Sequence, residues 1–273
     1  MISVILPAHQ EERLLGTALQ ALLASSPVGA QVEVIVVANG CTDATADVAR
    51  GFSGAFAATG WPYTVLELAE GGKPGALNAG DAAARFASRV YLDADVTVAP
   101  DMLAALWRVL DQDAPAYASG RVRITARSAT SRRYARLWQC LPFMARGVPG
   151  CGLFAVNAAG RARWGDFPPI ISDDTYARLH FAPGERHLVD AGYDWPVAEG
   201  FGALVKVRRR QDAGVAEIAA NYPDLRANDD TPRLGVNGAA RLALRDPMGF
   251  VTYASVALAV KALPAPKTWS RGR

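Results

Sequence analysis

The residue pattern with the most chemical content is Asp93-Ala94-Asp95, which follows the apolar run Val90-Tyr91-Leu92. Two carboxylates two residues apart at the end of a buried strand are costly unless something cationic compensates them. A divalent ion bound to a diphosphate would do so, because such ions take carboxylate and phosphate oxygens together. The same tripeptide also fits an ordinary loop with a helix-capping aspartate. A second acidic pair, Asp173-Asp174, follows Phe167-Pro168-Pro169-Ile170-Ile171-Ser172 at a predicted helix start. Carboxylates suit that end of a helix dipole, so an N-cap pair and a proton-accepting base are both open readings. Lys73 lies in a glycine-rich turn and could reach a phosphate, or it could be a solvated loop lysine. Arg208 and Arg210 sit in Arg208-Arg209-Arg210, which reads as phosphate-binding or as a basic strand edge.

These residues need a scaffold, and the first hundred positions supply one. Residues 2–6, 32–38, 63–68 and 89–92 are short apolar, largely β-branched runs. Between them, residues 11–25, 42–52 and 76–87 show helical spacing, and a fourth helix is predicted over 100–112, with Thr42 as N-cap of the second. Alternation of continuous apolar strands with helices predicts βαβ units and a parallel sheet covered on both faces. Ligands in such sheets bind beyond the carboxyl ends of the strands. His9, Asn39, Lys73 and Asp93 all fall there. Beyond residue 100 the pattern loosens. A strand is expected over 117–126, a helix over 129–144, a helix over 173–181 and a strand over 202–210, where alternation would put Arg208 and Arg210 on one side.

Composition narrows the class. The chain has 273 residues, a net charge of +3 and a 51% hydrophobic share, enough for a large core. The three cysteines, Cys41, Cys140 and Cys151, have no metal-ligand spacing and suggest a reducing compartment. Cys151 reads as a small buried residue rather than a nucleophile, and the three histidines, His9, His180 and His187, form no zinc triad. The amino terminus has no basic, long apolar leader, so a cytoplasmic location is expected. The apolar stretch over 250–263 is shorter than the roughly 20 residues of a spanning helix and carries Lys261. Arg132, Arg133 and Arg136, interleaved with Trp138, Leu141 and Phe143, read as helix packing or as peripheral contact with the inner face of a membrane. No nucleic-acid partner is indicated.

Four segments together resemble the inverting family-2 glycosyltransferases. They are Val4-Ile5-Leu6-Pro7-Ala8-His9-Gln10-Glu11-Glu12, Ile35-Val36-Val37-Ala38-Asn39-Gly40-Cys41-Thr42-Asp43-Ala44-Thr45, Gly72-Lys73-Pro74-Gly75-Ala76-Leu77-Asn78-Ala79-Gly80 and Asp93-Ala94-Asp95. They come in the family's order and cover residues 1–100. The resemblance implies an α/β fold of the GT-A type: a Rossmann-like, mainly parallel central sheet flanked by helices, with an irregular C-terminal extension. It implies a catalytic domain over 1–211, with a nucleotide-binding half at 1–100 and an acceptor half at 101–211, followed by a helical extension over 212–273. It further implies a nucleoside diphosphate sugar donor, UDP-sugar favoured, contacted by Pro7, Ala8, His9, Glu11, Asn39, Lys73, Asp93, Arg208 and Arg210. Asp93 and Asp95 would hold Mg²⁺ or Mn²⁺. Asp174 would be the catalytic base, with Asp173 in place of the family's glutamate. The acceptor would be a glycan, lipid or small molecule, and the pathway polysaccharide biosynthesis. Gly150-Cys151-Gly152 would border the sugar pocket, and Asn78 would organise its loop. One departure stands out: the family's acidic pair before Gly40 is Ala38-Asn39 here.

A nucleotidyltransferase of sugar phosphates also uses a parallel sheet, a metal-binding aspartate and a lysine. It expects a glycine-rich phosphate loop after the first strand, and residues 7–11 contain no glycine. A nucleotide-sugar-binding homologue without activity is the non-enzymatic alternative. A dinucleotide-binding oxidoreductase would need G-x-G-x-x-G at the first helix, which is missing.

Overall fold

The computed structural model describes residues 1–232 and 234–262. The first half runs β1 (Ile2–Ala8), α1 (Leu15–Leu23), β2 (Val32–Asn39), α2 (Thr45–Gly51), α3 (Ser53–Thr59), β3 (Tyr63–Leu68), α4 (Lys73–Ala83), β4 (Ser88–Leu92), β5 (Thr97–Val98) and α5 (Met102–Leu110). The second half runs β6 (Tyr117–Thr125), α6 (Ala129–Gln139), α7 (Pro142–Arg146), β7 (Leu153–Val156), α8 (Ala158–Arg161), α9 (Asp173–Leu179), β8 (Arg186–Pro196), α10 (Phe201–Asn221), α11 (Val236–Arg245) and α12 (Pro247–Ala262).

One eight-stranded sheet forms the centre, in the order β3-β2-β1-β4-β7-β6-β8-β5. The β3-β2-β1-β4 block is parallel, with Ile2 opposite Val32 and Ala8 opposite Ala38. Strand β7 runs antiparallel to β4, and β6 antiparallel to β7. Period-2 alternation explains why β1 is apolar on both sides. Ile2, Val4 and Leu6 join α1 and α5 through Leu15, Leu19, Leu22, Met102 and Leu106. Ile5 instead faces Leu77 of α4. A buried charge in this layer is compensated: Glu33 on β2 accepts from Ser3 Oγ (2.5 Å), Arg85 N (2.6 Å) and Arg85 Nε (2.8 Å). Burial would raise its pKa, and these donors outweigh it and hold the carboxyl below the usual range.

Several predicted elements take a different form. Helix α2 begins at Thr45 rather than after Thr42, because the Asp43 carboxylate takes the Thr45 amide at 3.1 Å. The helix expected over 129–144 breaks into α6 and α7 at Pro142, which cannot donate a backbone hydrogen bond and pushes Leu141 to an extended ψ of 144°. The strand expected over 202–210 is the start of the 21-residue helix α10, which runs on through position 211. Its apolar residues Leu204 and Val205 bury against the core at helical positions, so tertiary contact decides a short run that local pattern leaves ambiguous. Strand β8 carries its signal in Val189, Ala191 and Tyr193, buried and alternating with Asp190, Gly192 and Asp194. The C-terminal extension is helical through Ala262; Leu263, the last residue of the apolar stretch over 250–263, lies outside the described residues.

Candidate active site

The carboxyl ends of β1, β2 and β4 meet at one edge of the sheet. The loop after β1 is tied to the loop after β2: Gln10 Oε1 accepts from Thr42 N (2.9 Å) and Gln10 Nε2 donates to Thr42 Oγ1 (2.6 Å). His9 Nδ1 lies 2.7 Å from the Asn39 carbonyl oxygen. Asn39 is buried, and its amide donates to Ala8 O (2.8 Å) and Val37 O (3.4 Å) while its Oδ1 accepts from Gly72 N (2.9 Å). The side chain is therefore a clip between β1 and the glycine loop. Two carbonyls face its nitrogen, so this position wants a donor, which the family's usual aspartate lacks. Ala8 is buried, and its carbonyl is taken by that amide. Gly40 has φ +56°, and a Cβ there would stand 2.6 Å from Gly71 N, so the close approach of the two loops requires glycine.

Lys73 opens α4, with Pro74 presetting the first turn. Its Nζ is 2.7 Å from Asp93 Oδ1 and 3.0 Å from Asp173 Oδ2. One ammonium thus joins the end of β4 to the start of α9. The side chain keeps some solvent contact; desolvation works against its charge, but Asp173, Asp93 and Asp174 outweigh it and hold the ammonium protonated above the ordinary lysine range. Asp173 is 4% exposed. Burial, opposed by Lys73 and reinforced by Asp93, raises its pKa. Asp174 is pushed up to about 6, first by burial and then by the neighbouring Asp173 charge. Its Oδ1 accepts from Thr175 N at 2.7 Å. Asp173, Asp174, Lys73 and Asp93 share a small recess with Pro7, Gly150 and Gly152. That recess adjoins a cavity of about 300 Å³, bordered by Pro7, His9, Glu11, Asn39, Lys73, Asp93, Asp95, Arg208 and Arg210.

The sequence matches the family described as Glycosyl transferase family 2 over residues 3–165. The chain belongs to glycosyl transferase family 2. A dolichyl-phosphate beta-glucosyltransferase of Drosophila melanogaster is 40% identical over 108 residues, 37% of this chain and 32% of that protein, so the match spans about a third of the relative's length. The mannosyltransferase PcManGT from Pyrobaculum calidifontis, solved in complex with GDP-Man and Mn2+, superposes with a TM-score of 0.60 at 21% identity, over 97% of this chain and 76% of the other. S. aureus TarS 1-349, solved with UDP-GlcNAc, superposes with a TM-score of 0.53 at 12% identity, over 95% and 81%. At these identities the structural likeness is one of fold: the mostly parallel α/β sheet with flanking helices is that of GT-A glycosyltransferases.

In this family 2 glycosyltransferase the remaining cavity wall comes from the second half. Leu204, Val207, Arg208 and Gln211 of α10 line it at helical spacing, and Arg210 borders it too. The helix replaces the expected strand alternation, and both arginines still reach the cavity. Arg208 donates to Asp212 Oδ1 and to Tyr253 OH, each at 2.8 Å. An aromatic wall of Tyr134, Trp138 and Trp195 also lines the cavity, with the two indoles 5.4 Å apart. Trp138, which the α6 pattern assigns to helix packing, lines the cavity instead, and Trp195 reaches it from β8. Asn78 holds its loop, donating to Phe167 O (3.0 Å) and accepting from Phe167 N (2.7 Å). Burial pushes the Cys151 thiol up, which suits an inert residue. His180 bonds Tyr176 O at 2.9 Å and packs against Trp164.

Sequence reasoning also missed the support behind the acidic pair. Glu217 of α10 accepts from Ile171 N at 2.9 Å. A Cβ on Gly214 would lie 2.3 Å from Ser172 Oγ, so only glycine lets α10 press on this turn. Helix α10 therefore sets the height of Asp173 and Asp174.

Proposed function

We propose that this glycosyltransferase moves a hexosyl unit from a nucleoside diphosphate sugar to an acceptor hydroxyl with inversion at the anomeric carbon. The observation that carries the reading is the Lys73 bridge, which brings Asp93 of the cavity floor and the Asp173-Asp174 turn to one place. Residues 1–100 would hold the nucleotide, and residues 101–211 the acceptor. Asp93 and Asp95 are hard oxygen donors at the cavity floor. Among the described residues there is no cluster of three or more metal-ligating His, Cys, Asp or Glu side chains. Two carboxylates suit Mg²⁺ or Mn²⁺, whose other positions fall to water and diphosphate oxygens. When bound, such an ion would neutralise charge building on the departing diphosphate.

The chain's own groups do the rest. Asp174, ionised above about pH 6, would take the proton of the acceptor hydroxyl as that oxygen attacks. Asp173, whose charged form Lys73 favours against burial, would orient the ammonium toward Asp93. Arg208 and Arg210 would close over the phosphates from α10. Pro7, His9 and Glu11 would border the base. Asn39, with both ends of its amide engaged, would shape that pocket from behind, and uracil is the first base to test.

A panel of UDP-, GDP- and dTDP-sugars with Mg²⁺ or Mn²⁺ tests the reading by product analysis. Release of a nucleoside diphosphate supports it. Release of pyrophosphate would reassign the chain to nucleotidyl transfer, and tight donor binding without turnover would make it a binding homologue.

A further inference from the structure

Helix α12 is apolar on two sides. Inward, Val256 is fully buried and Tyr253 stacks on Tyr134 with ring centroids 5.1 Å apart. Outward, Met248, Val251, Ser255, Leu258 and Ala262 follow one another at helical spacing, and all are exposed. Val251 is 59% and Leu258 67% exposed. A helix at a protein–water boundary normally turns polar residues outward. Helix α11 adds to the same feature: it buries no residue, and its Val236, Ala240 and Leu244 form a second exposed stripe, with Leu244 84% exposed. Contiguous exposed apolar residues of this kind mark an interaction surface.

The charges say what covers it. Helices α6, α11 and α12 contain Arg132, Arg133, Arg136, Arg241, Arg245 and Lys261 and not one Asp or Glu. Asp246, between α11 and α12, is already held by Arg136 at 2.6 Å. A second copy docking through the same face would bring the same cations against these, and its α6, α11 and α12 carry no acid to meet them. An anionic lipid surface supplies both things the face lacks: a medium for Val251, Leu258 and Leu244, and negative charge for the arginines.

We propose that α11 and the outward side of α12 dock on the surface of an anionic lipid bilayer, lying in its interface. No helix among the described residues is long and apolar enough to cross a membrane, so the contact is superficial. The inward side of α12 meets α6 and α10 through Tyr253, which stacks on Tyr134 and accepts from Arg208, and both partners border the cavity. Docking would therefore set the aromatic wall of the cavity one helix away from lipid. This inference stands apart from the proposed reaction and holds or fails without it.

The test is co-sedimentation of the full chain with vesicles of phosphatidylcholine alone or mixed with phosphatidylglycerol. The full chain is expected in the pellet with the mixed vesicles and in the supernatant with the neutral ones. The double variant V251S/L258S, with an unchanged circular dichroism spectrum, is expected to lose bound fraction about tenfold. R241Q/R245Q should erase the preference for the anionic vesicles, and raised salt should mimic it. Equal recovery in the supernatant with both vesicles overturns the proposal, as does binding unaltered in V251S/L258S. A dimer that L258S dissociates, without vesicle binding, would give the face to a second copy and also overturn it.

Discussion

Lys73 and Asp173 meet at 3.0 Å although one opens α4 and the other opens α9. The carboxylate is 4% exposed, and removing its cation would leave an uncompensated buried charge. Breaking a fully buried pair costs about 3–5 kcal/mol; Lys73 retains some solvent contact, so K73Q should cost about 1–3 kcal/mol by the same argument. The loss is expected to depend on pH. Asp173 already has a raised folded pKa, and loss of Lys73 removes the charge that opposes burial and raises it further, so in K73Q the folded state holds its proton over a wider interval and stability falls more as pH rises through it. Thermal melts of K73Q and the parent protein should converge at low pH and diverge at neutral pH; a constant offset would refute the ion-pair account.

Asp174→Asn should lower turnover by about 10²–10⁴-fold, the usual contribution of a positioned base. The fold should survive, because an amide replaces a carboxyl whose charged form burial disfavours. In the parent protein, activity should rise with pH through about 6, as Asp174 loses its proton. The same shift subtracts stability as pH climbs from the unfolded aspartate value to about 6, and D174N should remove that slope. Initial rates and melts over a pH series read both effects.

Asp95→Ala is expected to abolish metal-stimulated donor cleavage and leave the melting temperature near that of the parent protein. Titrating Mn²⁺ into the variant and parent, with nucleoside diphosphate release as readout, checks this. Full activity of D95A at ordinary Mn²⁺ would move the metal site elsewhere.

Gly214→Ala should push on Ser172 and Ile171, since the new methyl would lie 2.3 Å from Ser172 Oγ and 3.0 Å from Ile171 Cγ2. Overpacking of this kind costs about 1–3 kcal/mol. Because the strain falls on the turn before Asp173, turnover should drop while donor KM changes little. A rise in KM with turnover intact would assign Gly214 to the donor side instead.

Asn39→Asp restores the residue type that the family usually carries. Here it should destabilise, because Ala8 O and Val37 O would face a carboxylate instead of an amide donor. Leaving a buried acceptor without its partner costs about 1–3 kcal/mol. Denaturant midpoints of the two proteins give the answer; equal midpoints would mean that the clip is dispensable.

The parallel half of the sheet was legible because its signals are local. Strands such as Ile2–Ala8 and Val32–Asn39 are continuous apolar runs, and helices of the right length separate them. The second half was harder for reasons visible in particular elements. Residues 202–210 contain a short apolar run that a strand or a helix can use, and burial of Leu204 and Val205 settles it as helix. Strand β8 alternates only over the short stretch 189–194, and its pairing with β6 shifts register between Ser119 and Arg121, a relationship that no local pattern carries.

By itself the sequence determined the class of fold and the placement of Asn39, Lys73 and Asp93 at the carboxyl ends of strands, because strand period and turn chemistry are properties of neighbouring residues. Only the tertiary structure decided that Asn39 clips two loops, that Lys73 joins Asp93 to Asp173, and that α10 holds the acidic turn and walls the cavity. Those relationships depend on which distant carbonyls, carboxylates and side chains are brought together and withdrawn from water, and hydrogen bonding and desolvation at such points are set by the packed fold, not by local order along the chain.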